Sequence, residues 1–343
     1  MRILVTGAAG YIGSVVTEQL VKQGHRVIAL DNLQNGFRAA VHPDAMFVPG
    51  DLLDAEWIRM FLKSYPVDAV VHLAAEALVD VSMRDPGRFF RANITAGINL
   101  LEAMVQAGVL RIVFSSTAAV YGEPESIPLT EDCGRSPVNS YGESKLAFER
   151  ILGWYRKAYG LKYIALRYFN ACGATEQYGE AHTPETHIIP LLFEVALGQR
   201  EAFHLYGSDY DTPDGSCLRD YIHVVDIAHA HRLALEKMDE IGARAYNMGN
   251  QTGFSNKQVI QAVRRITGHP IPVVPAARRP GDPARLVASS ERIRQELGWK
   301  PRYPDLLPMV QTAWAWRAKH PNGYASNFLA ENPAVDAVTL SAV

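Results

Sequence analysis

Short apolar runs rich in β-branched residues recur along the first half of the chain. They predict six β-strands, at residues 3–6, 26–30, 45–48, 69–73, 111–115 and 163–168. Nearly unbroken apolar strands are typical of a parallel sheet that is covered on both faces.

Helical patterns lie between these strands. Ile12, Val15, Val16 and Leu20 follow the spacing of one helix face, and Gly24 stands where a C-terminal cap is expected. Further helices are predicted at residues 57–62, 92–107 and 140–159. The alternation predicts an α/β fold of the Rossmann type, a doubly wound parallel sheet with right-handed crossovers.

The pattern changes after Phe169, where polar turns separate shorter helices such as residues 189–197 and 256–267. We predict a first domain over residues 1–169 and a smaller C-terminal α/β substrate domain over residues 170–325, with interleaved segments. A helix within residues 219–240 is expected to return to the first domain. We predict that residues 326–343 form a tail.

Composition narrows the class of protein. Of 343 residues, 48% are hydrophobic and 20% charged, with 34 Lys and Arg against 36 Asp and Glu. Such a chain has no basic excess with which to bind nucleic acid. The longest apolar runs fall short of the ~18 residues of a membrane span, so we expect no membrane partner. Three cysteines without C-x-x-C spacing favour a reduced, cytoplasmic compartment.

A glycine motif follows the first predicted strand and opens a helix. Gly7, Gly10 and Gly13 allow a sharp turn and a close approach of the backbone to a diphosphate, which helix N-terminal amides bind. Asp31 ends the second strand, where a carboxylate accepts from both ribose hydroxyls and repels a 2′-phosphate. This combination predicts NAD as cofactor.

A second motif, Tyr141-x-x-x-Lys145, lies inside the helix at residues 140–159. The i, i+4 spacing places the phenol and the ammonium on one helix face. The lysine charge and an oxidised nicotinamide are expected to stabilise a phenolate, which makes Tyr141 a base. Thr117 or Ser116, at the end of the fifth strand, could hydrogen-bond the same substrate hydroxyl.

These motifs, with Gly50-Asp51-Leu52 and His72-Leu73-Ala74-Ala75, resemble the extended short-chain dehydrogenase/reductases. Later segments, including Leu166–Asn170, His187–Pro190, Tyr206–Tyr210, Arg219–Val224 and Arg278–Asp282, are similar to the UDP-glucose 4-epimerases. The resemblance covers roughly residues 1–320. It implies an NAD-dependent 4-epimerisation of UDP-glucose and UDP-galactose through a 4-keto intermediate.

The resemblance also implies which residues form the site. The predicted cofactor residues are Gly7, Gly10, Tyr11, Ile12, Gly13, Asp31, Asn32, Asp51, Leu52, Leu73, Ala74, Ala75, Asn93, Ser115, Tyr141, Lys145 and Tyr168. The predicted substrate residues are Thr117, Tyr141, Asn170, His187, Ile188, His204, Tyr206, Arg219, Arg279 and Asp282. The apolar stripes at residues 92–107 and 146–155 are expected to be either core or a dimer face, and the resemblance implies a homodimer through the family's usual four-helix contact.

Two departures from the family pattern affect the expectations. Ala77 stands where many members carry a lysine, which removes a cation from the cofactor site. Arg285 falls near the position that gates the 2-substituent of the sugar. If its side chain lines the pocket, N-acetylated substrates are expected to be poorer; if it turns outward, Ala284 or Leu286 forms the gate.

Other functions are less well supported by the sequence. A nucleotide-sugar dehydratase needs an acid pair after Thr117, where Ala118 and Ala119 stand. A decarboxylase would want additional cations, for which Arg285 is the candidate. A non-catalytic NAD-sensing module has no need of a Tyr-Lys pair. His223, His229 and His231 lack the spacing of a metal site, so no metal is expected.

Overall fold

The computed structural model describes residues 1–124, 126–279 and 283–324, and in these ranges the chain alternates between strands and helices. In chain order the strands are β1 (Arg2–Thr6), β2 (Arg26–Asp31), β3 (Met46–Pro49), β4 (Ala69–His72), β5 (Arg111–Thr117), β6 (Lys162–Tyr168), β7 (Asn170–Cys172), β8 (Phe203–Tyr206), β9 (Leu218–Arg219), β10 (Tyr221–His223), β11 (Ala243–Met248), β12 (Phe254–Ser255), β13 (Val273–Ala276) and β14 (Arg285–Leu286).

The α-helices are named in the same way. They are α1 (Tyr11–Lys22), α2 (Ala55–Ser64), α3 (Val79–Ser82), α4 (Pro86–Phe90), α5 (Ala96–Gln106), α6 (Ser140–Tyr159), α7 (Ile188–Ala196), α8 (Val224–Ile241), α9 (Asn256–Thr267), α10 (Glu291–Leu297) and α11 (Leu306–Lys319). Short 3-10 turns cover Arg38–Ala40 and Ala118–Tyr121, and a π-helical turn covers Arg91–Thr95.

Seven parallel strands form the central sheet, in the order β3-β2-β1-β4-β5-β6-β11. Crossovers on both sides of β1 and β4 make this a doubly wound sheet, so the predicted fold class is confirmed. All six predicted strands are present. The seventh, β11, was missed, and β5 continues two residues further than expected, to Thr117.

Helices cover both faces of the sheet. On one face Val15 and Val16 of α1 share an apolar cluster with Ile227 and Ala234 of α8. On the other face α2, α5 and α6 supply a second buried cluster. The predicted helix at residues 92–107 is divided, because its first turn is π-helical and only α5 is regular α-helix.

Helix α6 has the predicted bounds, and local signals explain them. The Asn139 side chain accepts from the Gly142 amide at 2.8 Å, which caps the N-terminus. Gly160 adopts the left-handed conformation that ends many helices. The Asn139 cap fixes the start of the helix, and this start places Tyr141 and Lys145 in its first turns.

The second half of the chain forms small sheets and a separate apolar cluster around α7, α9 and α11. Between these parts the chain returns to the central sheet, since α8 packs beside α1 and β11 pairs with β6. The domain boundaries predicted above stay a prediction, and residues 326–343 lie outside the described residues. In the described ranges, no helix is both long and apolar enough to cross a membrane.

Candidate active site

A cavity of about 600 Å³ opens at the carboxyl ends of β1, β2, β4, β5 and β6. This is the edge at which doubly wound sheets bind ligands. Its wall contains most of the predicted site residues, from the glycine motif at one end to Arg219 and Arg279 at the other. The structure therefore brings residues that are far apart in sequence into one site.

The glycine motif forms a turn in which side chains have no room. Gly7 has a φ of +71°, and a Cβ there would lie 2.6 Å from the Ala74 amide nitrogen. A Cβ on Gly13 would lie 1.9 Å from the Gly7 carbonyl oxygen. Helix α1 follows directly, and the amides of its first turn have no intrahelical acceptor. This cradle fits the diphosphate of a dinucleotide.

Asp31 lies at the end of β2, 7% exposed, on the wall of the cavity. Its two carboxylate oxygens accept from the amides of Ala9, at 2.9 Å, and Leu33, at 2.8 Å. Burial raises the pKa of Asp31, although these hydrogen bonds oppose the rise. The fixed carboxylate retains lone pairs that can accept from ribose hydroxyls.

The catalytic candidates meet beside this cradle. Tyr141 and Thr117 line the cavity and are hydrogen-bonded through their side chains. The Lys145 ammonium lies 6.0 Å from the centre of the Tyr141 ring and donates to the Ser115 carbonyl oxygen at 2.9 Å. Thr117 Oγ1 also accepts from the Ala119 amide at 3.1 Å, which fixes its side chain at the strand end.

Burial governs the titration of these groups. It raises the pKa of Tyr141, more than the hydrogen bond with Thr117 lowers it. It lowers the pKa of Lys145 to about 7 and, together with the lysine charge, that of His72 to about 3. The prediction that the lysine charge and an oxidised nicotinamide together stabilise a Tyr141 phenolate stays a prediction. A phenolate here needs further positive charge.

Of the predicted site residues that the structure describes, two do not line the cavity. Successive side chains of a strand point to opposite faces, so Ser115 and Thr117 face the site while Ser116 faces away. The Ser116 hydroxyl instead donates to Glu149 at 2.5 Å. Asn93 is also buried, because its amide bonds the backbone of Glu76 and the hydroxyl of Ser144. Asn93 therefore supports Glu76, a residue of the cavity wall, without lining the cavity itself.

The far end of the cavity is basic and aromatic. The Arg279 guanidinium stacks on the Tyr206 ring at 4.1 Å from its centre, and Arg219 lies on the same wall. The remaining predicted substrate residues on this wall are Asn170, His187, Ile188 and His204. Asp282 lies outside the described residues.

Arg285 does not form the sugar gate. Its guanidinium donates to the Asp211 carbonyl oxygen at 2.7 and 3.1 Å, away from the cavity wall. In the strand pairing Leu286 stands opposite Arg219, and it packs in the same apolar cluster as Phe169. Neighbouring strand residues face opposite ways, so Leu286 takes the inward position and Arg285 the outward one.

Sequence reasoning missed other residues of the wall. Glu76 is buried there and pairs with Arg88 at 2.6 Å. Two Glu-x-His pairs, Glu180 with His182 and Glu185 with His187, gather in the loop before α7. The repeated Glu-x-His spacing is the sequence signal for this cluster.

Comparisons with known proteins agree with this geometry. The chain is 49% identical to the UDP-glucose 4-epimerase of Halalkalibacterium halodurans over 329 residues, 95% of this chain and 98% of that one. It is also similar to the crystal structure of a UDP-glucose 4-epimerase from Brucella ovis in complex with NAD. That match has a TM-score of 0.89 and 41% identity, and covers 94% of this chain and 98% of that one.

A third relative was solved with both ligands. The structure of UDP-glucose 4-epimerase from Bifidobacterium longum in complex with NAD⁺ and UDP matches with a TM-score of 0.90 and 35% identity, over 94% of this chain and all of that one. The sequence profile of the NAD dependent epimerase/dehydratase family matches residues 3–249. With the glycine cradle, Asp31 and the Tyr-Lys pair on one cavity, these matches confirm the predicted resemblance: the chain belongs to the NAD dependent epimerase/dehydratase family.

Proposed function

We propose that the protein interconverts UDP-glucose and UDP-galactose by inverting C4 of the sugar, with NAD held as a resident cofactor. One observation carries the proposal: Tyr141, Thr117 and Lys145 meet on a cavity that has a dinucleotide cradle at one end and two arginines at the other. The relatives named above are UDP-glucose 4-epimerases, which supports the same reaction.

The chain's own residues hold NAD and handle the proton. The glycine cradle receives the diphosphate, and the Asp31 carboxylate accepts from the adenosine ribose. Tyr141 Oη removes the proton of the 4-hydroxyl and returns it after the sugar has turned, while the Thr117 hydroxyl holds the same oxygen. When bound, NAD would supply the hydride acceptor and donor at C4 and, in its oxidised form, the further positive charge that a Tyr141 phenolate needs.

The substrate is anchored at its nucleotide end. Arg219 and Arg279 each offer a planar fork of donors, which suits the two phosphates of UDP. A 4-ketose must rotate between the two hydride transfers, and strong diphosphate contacts allow the sugar contacts to stay weak. The acid pair of a dehydratase is replaced by Ala118 and Ala119, the first of which is buried in an apolar cluster.

The test is turnover of UDP-galactose by the NAD-loaded protein, with the product identified by NMR. UDP-glucose is expected, and the reverse reaction must reach the same equilibrium mixture. Tyr141→Phe, which removes the base and almost no volume, should lower kcat by at least ~100-fold with an unchanged melting temperature. Unconverted UDP-galactose, a dehydrated product, or a Tyr141→Phe variant with wild-type turnover would refute the proposal.

The proposal extends to assembly and location, a cytoplasmic homodimer formed through α5 and α6. Trp154 of α6 is 66% exposed, and Lys157 lies over its ring at 4.2 Å. An exposed tryptophan on the predicted contact face suits a helix-to-helix interface. Sedimentation equilibrium should give a dimer; a monomer at all concentrations tested would refute the dimer but leave the epimerase proposal intact.

A further inference from the structure

Four metal-binding side chains gather in the loop between β7 and α7. Glu180, His182, Glu185 and His187 each offer one ligand atom, and these atoms all lie within 4.8 Å of one another. Glu180 Oε1 lies 2.7 Å from His182 Nδ1 and 3.2 Å from His187 Nδ1. The cluster is thus assembled within eight residues of chain, on the wall of the cavity but apart from the Tyr141 side.

The spacing of these atoms suits a small tetrahedral cation. Zinc binds histidine nitrogen and carboxylate oxygen at about 2.0–2.2 Å, which places tetrahedral ligand atoms roughly 3.3–3.5 Å apart. The distances of Glu180 Oε1 from His182 Nδ1 (2.7 Å) and His187 Nδ1 (3.2 Å), and of Glu185 Oε1 from His187 Nδ1 (2.8 Å), are shorter than this by up to about 0.8 Å. A zinc ion at the centre therefore needs these side chains to move apart by less than about 1 Å.

The carboxylates are already oriented and largely withdrawn from water. The Glu180 side chain is 11% exposed and that of Glu185 is 5% exposed. Glu185 Oε1 accepts from the amides of Thr186 and His187, both at 2.7 Å. Hydrogen bonds of this kind fix the direction of a ligating carboxylate. Both carboxylates are paired with His182 or His187 at 2.7–3.2 Å, so zinc binding would replace these ion pairs and release the imidazole protons.

The loop that carries the cluster is anchored on either side of it. Before it, the Gly179 amide donates to the Tyr324 hydroxyl at 3.0 Å, and the Gly179 backbone packs against the Trp316 ring. After it, His187 is the N-cap residue of α7. The four side chains lie between these two anchored positions. A cation bound among them would therefore hold the loop closed.

We propose that Glu180, His182, Glu185 and His187 bind one Zn²⁺ ion, which fixes residues 180–187 as a wall of the cavity. Four protein ligands fill a tetrahedral zinc, which is the arrangement of structural rather than catalytic sites. Zinc would take Nδ1 of His187 and leave Nε2 for the UDP contact that the resemblance implies. The proposal departs from the expectation of no metal, which considered only His223, His229 and His231.

The experiment is a titration of the NAD-loaded, tag-free protein with Zn²⁺ after dialysis against a chelator, followed by calorimetry and thermal melting. One zinc per chain and a higher melting temperature are expected. Glu185→Gln and His182→Ala should each weaken zinc binding by more than ~10-fold, since even outer-shell partners of a metal site cost that much. His269→Ala, which removes an exposed histidine elsewhere on the chain, should bind zinc as tightly as the wild type.

Zinc that is not taken up by the wild type, or that binds equally well to Glu185→Gln and His182→Ala, overturns the proposal. If one variant fails to fold, the other decides. The visible absorption of Co²⁺ on the wild type gives an independent readout, because tetrahedral coordination by imidazole and carboxylate is distinguishable from hydrated Co²⁺. None of these measurements depends on epimerase turnover, so they separate the metal site from the proposed function.

Discussion

Replacing Lys145 with methionine should slow the enzyme and at the same time stabilise the protein. The lysine charge lies 6.0 Å from the centre of the Tyr141 ring. At that distance and an effective dielectric constant of about 20, a phenolate and an ammonium attract by roughly 3 kcal/mol, which is about 100-fold in phenolate population. We expect Lys145→Met to lower kcat/KM by about that factor near pH 7. The loss should shrink at higher pH, because the wild-type lysine itself gives up its proton above about pH 7.

The stability gain follows from the same buried charge. Burial moves the Lys145 pKa from its ordinary value of 10.5 to about 7. That difference corresponds to about 5 kcal/mol at neutral pH, and the lost hydrogen bond to Ser115 returns about 1 kcal/mol of it. We therefore expect Lys145→Met to raise the free energy of unfolding by about 3–4 kcal/mol near pH 7.

The lowered pKa of Lys145 also determines how the free energy of unfolding changes with pH. Between about pH 7 and pH 10.5 the unfolded chain holds a proton on Lys145 that the folded protein does not, so wild-type stability rises with pH in this window. The variant lacks that rise, and the gap should close near pH 10.5. Urea unfolding of cofactor-stripped protein measures both curves, with Lys300→Met at an exposed loop position as the matched control. A variant less stable than the wild type near pH 7, or a gap independent of pH, would refute the reasoning.

Three further changes test other parts of the structure. Asp31→Ser should weaken NAD binding and reduce the preference for NAD over NADP, measured by calorimetry on stripped protein; an unchanged preference would mean that Asp31 does not reach the ribose. Glu149→Gln leaves the buried Arg167 charge without its partner at 2.5 Å and should cost about 3–5 kcal/mol in urea unfolding. The same change at Glu194, whose pair with Arg200 is partly exposed, should cost under ~1 kcal/mol, and equal costs would contradict the burial argument. Arg285→Ala should leave the ratio of kcat/KM for UDP-glucose and UDP-N-acetylglucosamine within about 2-fold, because its side chain bonds Asp211 rather than the cavity; a wider substrate range would restore it as the gate.

The hydrophobic pattern and the helix caps in the sequence were sufficient to predict the part of the fold that positions Tyr141 and Lys145. The six predicted strands are apolar on both faces, and Asn139 and Gly160 mark both ends of α6, so Tyr141 and Lys145 could be placed on one face of a helix. Strand β11 escaped prediction because Arg244 and Asn247 interrupt its apolar run. These residues form a strand because they pair with β6, which is far away in the sequence.

The side-chain directions in the site could not be predicted for the same reason. Whether Ser116 or Thr117 faces the cavity depends on which face of the sheet each residue of β5 points to. The apolar run that predicts the strand ends at residue 115 and does not show this. Arg285 faces outward because β14 pairs with β9 in one particular register. The role of Asn93 depends on Glu76 and Ser144, which come near only in the folded chain. Side-chain direction at these positions is a property of tertiary contacts.

The late position of β11 has a consequence for synthesis of the chain on the ribosome. Strand β6 is complete at residue 168, but its outer edge stays unpaired until residues 243–248 have emerged. During that interval the nascent chain presents a row of free amides and carbonyls, which is a template for pairing with another chain. Tyr246 is fully buried once the strand is in place, so the same step also removes a large ring from water. Once residues 243–248 have emerged, their pairing with β6 therefore closes this edge of the nascent sheet.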